Sequence, residues 1–501
     1  MINAQSSTPQ VKKHHPTLLQ AFIPIVFLIL LLSVNVWIFG DMAIEGSNQI
    51  VLLLSAAVAG LVAIRVGLSW QEIEAGIVHS IKSSLSAILI LLLIGALAGT
   101  WLLSGIVPLM IYYGLKILNP TIFLVAACIV SAVVSIATGS SWSTIATIGI
   151  ALLGIGKALG ISEAITAGAV ISGAYFGDKV SPLSDTTNLA PAMAGTTLFV
   201  HIRYLLYTTV PSIVIALIIF LIIGLNLDTQ AFKGDVDTVM LAIDRTFNTS
   251  PLLLLVPVIV IFLIIKKVPA IPALFTGALL GGVFALIFQP NIIAQVSGVS
   301  GNAYEASYVA VIKALYGTIQ VPTGNATVDS LLKTNGMAGM LDTIWLIICA
   351  MIFGGIMERS GMLRRITEEV IRFAQSTGSL IASTAGTCIF FNITASDQYL
   401  AIVVPGRMYA ETYRERNLKP ENLSRTLEDA GTVTSVLVPW NTCGATQSSV
   451  LGVATMAYLP YCFFNLISPF MTILFGYLNI KIRRIKDEKA EKKDVAVETT
   501  S

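Results

Sequence analysis

Charge is scarce in this chain. Asp, Glu, Lys and Arg account for 12% of its 501 residues, about half the share usual in soluble domains. Hydrophobic residues make up 55%, and the mean hydropathy is +0.82. That balance excludes a soluble globular protein. The net charge is only +2, with Lys and Arg spread over loops and the C-terminus. A nucleic-acid surface needs a basic stripe interleaved with aromatics, so nucleic acid is excluded as a partner. Cysteine is sparse too. Cys128, Cys349, Cys388, Cys443 and Cys462 stand far apart, without the paired spacings of metal or disulfide sites, and read as small apolar packing residues. His14, His15, His79 and His201 fall in loops or at helix ends, so no histidine proton relay is expected. No cluster of His, Asp and Arg marks a catalytic centre. The reading is of a non-enzyme that needs no cofactor.

What the chain does have is long apolar runs. Ala21–Phe39 and Ser212–Leu225 approach the roughly 20 residues that cross a bilayer core. The first is longer than a signal-peptide core and lacks a small-residue cleavage site, so it reads as a retained helix. The expected fold is an all-α polytopic membrane protein, with the lipid bilayer as its partner. Spans fall near 20–39, 50–66, 84–105, 120–137, 141–160, 161–176 and 203–226. A second set falls near 251–265, 270–288, 341–357, 379–394, 397–410, 430–455 and 457–479. Basic loops stay cytoplasmic. Lys12 and Lys13, Arg65 to Lys82, Lys266 and Lys267, Arg359 to Arg372, Arg407 to Arg425 and the tail therefore belong inside. The loops 40–49, 227–250 and 289–340 are acidic, mixed or nearly neutral and belong outside.

The division that follows starts with a cytoplasmic segment 1–19 and a first transmembrane repeat 20–226. An external linker 227–250 leads to a second repeat 251–480, which carries an external loop 289–340. A cytoplasmic tail 481–501 completes it. Both termini are expected in the cytoplasm of a cell bounded by this inner membrane; a homodimer is compatible with the sequence but not specified by it.

The two halves share residues. Gly99, Ser104, Gly105, Thr138 and Ser140 match Gly355, Ser360, Gly361, Thr394 and Ser396 at an offset of 256. The segment 84–105 is preceded by Arg65 and Lys82, whereas 341–357 is followed by Arg359, Arg364 and Arg365. Related segments with opposite flanking charge cross in opposite directions. The expectation is two inverted-topology repeats with broken helices or re-entrant hairpins, the arrangement of secondary transporters.

Polar, Gly-rich clusters interrupt the apolar pattern in each half. The first half has Thr138-Gly139-Ser140-Ser141-Trp142-Ser143-Thr144 and the stretch GDKVSPLSDTTNLAP over 177–191. The second has Asn392 to Gln398 and Pro439 to Gln447. Irregular backbone at membrane depth must be buried in protein or line a cavity. The oxygens on offer suit a small hard cation: Asp178, Ser181, Asp185, Thr186, Thr187 and Asn188, with Thr138 and Ser140, and then Thr394, Ser396, Asp397, Asn441 and Thr442. Asp185 and Asp397 are the candidate Na+ contacts. A carboxylate in a low-dielectric cavity holds a proton more readily than one in water. One such group can carry a proton or a cation but not both, which is enough to couple the two flows. Ser, Thr and Gly also serve in helix packing, so about half of these hydroxyls are expected to do only that. Ser184 or Asp185 also suits the cap of the next helix. A loop pair at the membrane surface is the lesser reading of Asp178 beside Lys179, and Asp178 suits positioning the break as well as binding the ion. The alternating charges from Arg407 to Asp429 read as a solvated helical connection.

These motifs resemble a known family. GDKVSPLSDTTNLAP resembles the signature of the NhaC family of Na+/H+ antiporters, within the wider ion transporter superfamily. Asp397 to Met408, Leu423 to Thr432, and Val438 to Gly444 resemble its second-half motifs in the same order. The resemblance implies Na+/H+ exchange by alternating access around a midplane site, with Na+ and H+ as the transported species. Relatives resembling malate and lactate exchangers keep organic anions open as an alternative substrate. Lys179 is the only basic residue inside the polar clusters, which favours a bare cation.

Overall fold

The computed structural model describes residues 15–39, 46–117, 119–227, 233–299, 301–324, 328–329 and 332–485. Lys12, Lys13, His14 and the tail beyond 485 lie outside the described residues, as do parts of the 40–49 and 227–250 loops. Eight described helices are long and apolar enough to cross a bilayer, and two bent pairs raise the number of spans to at most ten. The chain is a multi-pass, nearly all-helical membrane protein.

Ser69 and Glu72 form a reciprocal capping box that starts the long helix Trp70–Leu103. It ends where Gly105 takes φ 79°, a left-handed geometry that suits glycine. Ile106–Ile117 follows. Then comes a hairpin of Pro120–Thr138 and Ser141–Ala158, opened by the Asn119 cap and Pro120. Phe123 lies against Gly156, so the second arm returns antiparallel to the first. A broken helix follows, Glu163–Val180 and then Asp185–Ala194, and after it the long Leu198–Leu225. Glu163–Val180 runs beside the first hairpin arm in the same direction. A Cβ on Gly173 would sit 2.0 Å from the Cys128 carbonyl, and one on Gly177 would sit 2.4 Å from that of Ala132.

The second half repeats this order. Gly336–Arg359 ends at Gly361 with φ 76°, and Met362–Arg372 follows. A hairpin of Thr377–Thr394 and Leu400–Glu415 is closed by Thr384 to Tyr413 and Thr387 to Tyr409 hydroxyl contacts of 3.1 and 2.8 Å. A second broken helix starts at Pro420, passes through a π turn at Leu427–Thr432, and resumes as Thr442–Leu451. The bent pair Thr455–Tyr461 and Phe463–Tyr477 closes the half.

Hydrogen bonds repeat with the elements. Ser135 Oγ donates to the Ala174 carbonyl at 2.6 Å, and Asn392 Nδ2, 257 residues on, donates to the Gly431 carbonyl at 2.7 Å. The carbonyls of Ile136 and Ile393 accept from Ser181 Oγ and Trp440 Nε1 at 2.8 and 2.7 Å. The sequence match at offset 256 therefore holds only as far as Gly361. One extra residue between Gly361 and Thr377 moves the register, so Thr138 and Ser140 correspond to Ala395 and Asp397 rather than to Thr394 and Ser396.

The two long helices cross in opposite directions. A Cβ on Gly76 would meet Arg359, whereas one on Gly95 would meet the Gly336 carbonyl at 2.4 Å. Backbones this close exclude any larger side chain. The 289–340 segment, expected as a loop, carries Pro290–Ser297, Ala303–Tyr316 and a strand pair, Ile319–Gln320 with Lys333–Thr334. The Ala314 carbonyl seats on Gly99 of the long helix, where a Cβ would come within 1.8 Å. All five cysteines are buried and free.

Two expectations are corrected. In the 407–429 stretch, Arg407, Glu411, Arg414 and Glu415 are exposed, but Glu421, Arg425, Glu428 and Asp429 are buried between the halves. A hydropathy pattern shows that residues are charged, not that neighbouring helices enclose them. His201 opens the Leu198–Leu225 helix, yet it is buried, with Nδ1 2.8 Å from Ser424 Oγ.

Candidate functional site

Each hairpin tip abuts the break in the helix that follows it. At the first tip Gly139 takes φ 70°, and a Cβ there would lie 2.5 Å from that of Leu183 in the break. Ser140 Oγ accepts from the Ser143 amide at 3.2 Å and caps the returning arm. Asp178 reaches the same helix start. Its Oδ2 accepts from the Ser141 amide at 3.0 Å and from Ser141 Oγ at 2.6 Å, a favourable place for a negative charge.

The break at 181–184 frees carbonyls that nearby hydroxyls then occupy. Thr187 Oγ1 donates to the carbonyls of Asp178 and Lys179, both at 3.1 Å. Ser184 Oγ caps Asp185–Ala194 through the Thr187 amide at 3.3 Å, and Asn188 Nδ2 donates to the carbonyls of Pro182 and Ser184 at 3.1 and 2.7 Å. Asp185 itself is exposed, and among the described residues no hydrogen bond restrains its carboxylate.

The second tip repeats the device with different residues. Ser396 takes φ 60° where the first half has Gly139, and Asp397 Oδ1 accepts from the Leu400 amide at 3.0 Å where Ser140 caps in the first half. The Thr442 amide donates to the Ser396 carbonyl at 3.0 Å, which ties the second break to its tip. Asn441 caps Thr442–Leu451 through the Cys443 amide and donates to the Asn392 carbonyl, both at 3.0 Å. Cys443 Sγ donates to Gln398 Oε1 at 2.9 Å.

Both tips open on one cavity of about 680 Å³. Of the oxygens picked out in the sequence, Thr138, Ser140, Asp178, Asp185, Thr186 and Asn188 line it from the first half, and Asp397 and Thr442 from the second. Ser181, Thr187, Thr394, Ser396 and Asn441 are not in its lining. Ser181, Thr187 and Asn441 hold the backbone at the breaks, and Thr394 Oγ1 donates back to the Phe390 carbonyl at 2.7 Å. The sequence reasoning missed Ser83, Ser84 and Ser86 on the long helix, which also line the cavity with Trp142, Gln398 and Tyr399. Their signal was a Ser-rich face inside an apolar span. Lys267, with φ 64°, lines the same cavity. The three aspartates do not converge on one point: among the described residues no group of three His, Cys, Asp or Glu is arranged to hold a metal ion.

Lys179 is not tied to Asp178. Its Nζ forms a fully buried ion pair with Asp429, and it donates to Ser468 Oγ at 2.8 Å. Asp429 Oδ2 also accepts from Thr208 Oγ1 at 2.8 Å. Adjacent residues on a helix point about 100° apart, so one faces the cavity and the other the opposite half.

A family profile described as the Na+/H+ antiporter family matches residues 173–480, which includes both breaks and the second hairpin. The chain is 42% identical to the Na+/H+ antiporter NhaC of Alkalihalophilus pseudofirmus, across 86% of this chain and 90% of that one. It is 36% identical to the malate-2H+/Na+-lactate antiporter of Bacillus subtilis, across 95% and 98%. It is also 36% identical to the arginine/ornithine antiporter ArcD of Halobacterium salinarum, across 93% of each.

Proposed function

Because this chain belongs to the Na+/H+ antiporter family, we propose that it exchanges Na+ for H+ across the cell membrane by alternating access. Asp178, Asp185 and Asp397 are the groups that hold cation or proton. The observation that carries this reading is their meeting in one cavity, at the tips and breaks of both halves. Asp178 and Asp397 are nearly buried at helix starts, where the macrodipole steadies a negative charge, whereas Asp185 is free to reach an arriving ion. Hydroxyls of Thr138, Ser140 and Thr442 supply further hard-oxygen ligands. Closure of the cavity around an ion brings separated carboxylates together, and a proton taken by any one of them weakens cation binding there. In this reading both termini lie in the cytoplasm, following the Lys and Arg placement.

Vesicles that carry the purified protein and an imposed proton gradient test it. Na+ is expected to collapse the gradient, with Li+ and K+ as comparisons. The single changes Asp178→Asn, Asp185→Asn and Asp397→Asn are expected to abolish the collapse in protein that still inserts. No Na+ response from mildly acidic to alkaline pH would overturn the reading.

A second reading, exchange of a small organic anion or amino acid, is favoured by a cavity far larger than one ion and by Lys267 on its wall. Three lining carboxylates oppose an anion. Sodium-dependent uptake of labelled malate, lactate or ornithine separates the two.

A further inference from the structure

A buried acid that the cation cavity does not use lies in the π turn Leu427–Thr432. Glu428 is 0% exposed, and neither carboxylate oxygen has a hydrogen-bond partner among the described residues. A buried ionised carboxylate without a partner is strongly disfavoured, so a carboxyl in this position is stable only when it carries a proton or is matched by a cation. Lys179, on the helix packed against this turn, is already committed to Asp429. Arg425, three residues back, lies over the Tyr204 ring at 4.5 Å.

The repeat shows that the fold does not need these charges. At the offset of 257 residues, Glu428 and Asp429 correspond to Ile171 and Ser172, and Lys179 corresponds to Val436. Ile171 and Val436 fill the equivalent places fully buried. Apolar and small residues therefore occupy the equivalent places of the repeat, and the ionisable set stands at one of the two equivalent positions. Glu428 and Asp429 stand in a π turn, a local distortion that recurs at functional positions.

Glu428 stands one ion pair away from the cavity. Asp429 beside it pairs with Lys179 on the Glu163–Val180 helix, Asp178 is the adjacent residue on that helix, and Thr432 stands one turn on. The hairpin packed on the same turn brings Cys388 and Tyr409, in the buried cluster of Leu427 and Ala430, and the Phe463–Tyr477 helix brings Ser468. Asp178 is the member of this set that also lines the cavity. Two carboxylates close enough to interact repel when both are ionised, and a proton on Glu428 relieves that repulsion. A cation at Asp178 relieves it instead, and the proton on Glu428 is then held less firmly.

We propose that Glu428 is a proton-binding site separate from the cation cavity, and that it gives up its proton to water when Na+ binds at Asp178. This rests on the Na+/H+ reading above. It makes the carrier hold two kinds of proton: one that competes directly with Na+ on a cavity aspartate, and one displaced at a distance.

The test measures two quantities on the same purified protein in detergent. One is 22Na+ binding, and the other is proton release into a weakly buffered dye solution on addition of Na+. Wild-type protein is expected to bind Na+ and release protons. Glu428→Gln, close in size and shape, is expected to bind Na+ with affinity within a few-fold of wild type and to release one proton fewer per chain. Glu428→Asp is expected to restore that release. Equal release from Glu428→Gln and wild type overturns the proposal, because the proton then comes from elsewhere. Loss of Na+ binding in Glu428→Gln overturns it too, because the acid is then part of the cation site or of the scaffold. Wild-type protein that neither binds Na+ nor releases protons refutes the antiport reading itself, a failure visible without any variant.

Discussion

The buried pair of Lys179 and Asp429 predicts a specific pattern of stability. Removing one partner of a buried pair leaves an uncompensated charge and costs about 3–5 kcal/mol, whereas removing both is often nearly neutral. The surroundings rank the two single changes. In Lys179→Met, Asp429 keeps hydroxyl donors at Thr208 and Ser468, 2.8 and 3.2 Å away, so the loss belongs near about 3 kcal/mol. In Asp429→Leu, which leaves no acceptor at this position, Lys179 keeps Ser468 Oγ at 2.8 Å and the Phe464 ring at 5.4 Å. That loss belongs near about 5 kcal/mol. The double variant removes both charges and is expected within about 2 kcal/mol of wild type, a coupling of several kcal/mol. Unfolding in mixed micelles, followed by circular dichroism, measures all four proteins. Single losses below about 1 kcal/mol, or a double loss equal to the sum of the singles, would refute the reasoning.

Further outcomes follow from the tips and the long helices. Gly139→Ser places a Cβ against Leu183 at a left-handed position and is expected to destabilise by about 1–3 kcal/mol, seen as a lower unfolding midpoint. Ser396→Gly relieves the equivalent strain and is expected to leave stability within about 1 kcal/mol of wild type by the same measurement. Gly99→Leu cannot coexist with the Ala314 carbonyl at its present place; the full-length protein is expected to insert poorly, read as its yield in the membrane fraction. Lys267→Gln leaves the three aspartates alone and is expected to preserve Na+-driven collapse of a proton gradient. If transport of an organic anion is found, Lys267→Gln should instead impair that uptake.

Much of the candidate site was legible because breaking a helix in a membrane demands particular residues. Gly139, Ser140, Pro182, Ser184 and Asn441 cap, turn or interrupt, and each does so whatever packs around it. Asp178, Asp185 and Asp397 were conspicuous because the surrounding sequence offers them no water. What stayed hidden depended on distant partners. Lys179 and Asp429 are 250 residues apart, and the local sequence gives Lys179 a nearer carboxylate in Asp178. Glu421 to Asp429 looked solvated because alternating charge is also the pattern of an exposed helix. The register slip after Gly361 escaped because Thr138 and Ser140 find Thr394 and Ser396 at the offset of 256, whereas the hydrogen bonds at Ser135 and Asn392 and at the Ile136 and Ile393 carbonyls repeat at 257.

The ion pair between the halves also has a consequence for membrane voltage. Moving one elementary charge through the full potential takes about 2.3 kcal/mol per 100 mV. Lys179 and Asp429 carry opposite charges in contact, so a displacement that carries the two broken helices together moves no net charge through the field on their account. The pair can hold the halves together without making the carrier's movement depend on the resting potential. The field then acts on what occupies the cavity, and the charge state of its aspartates sets how strongly voltage drives each half of the cycle.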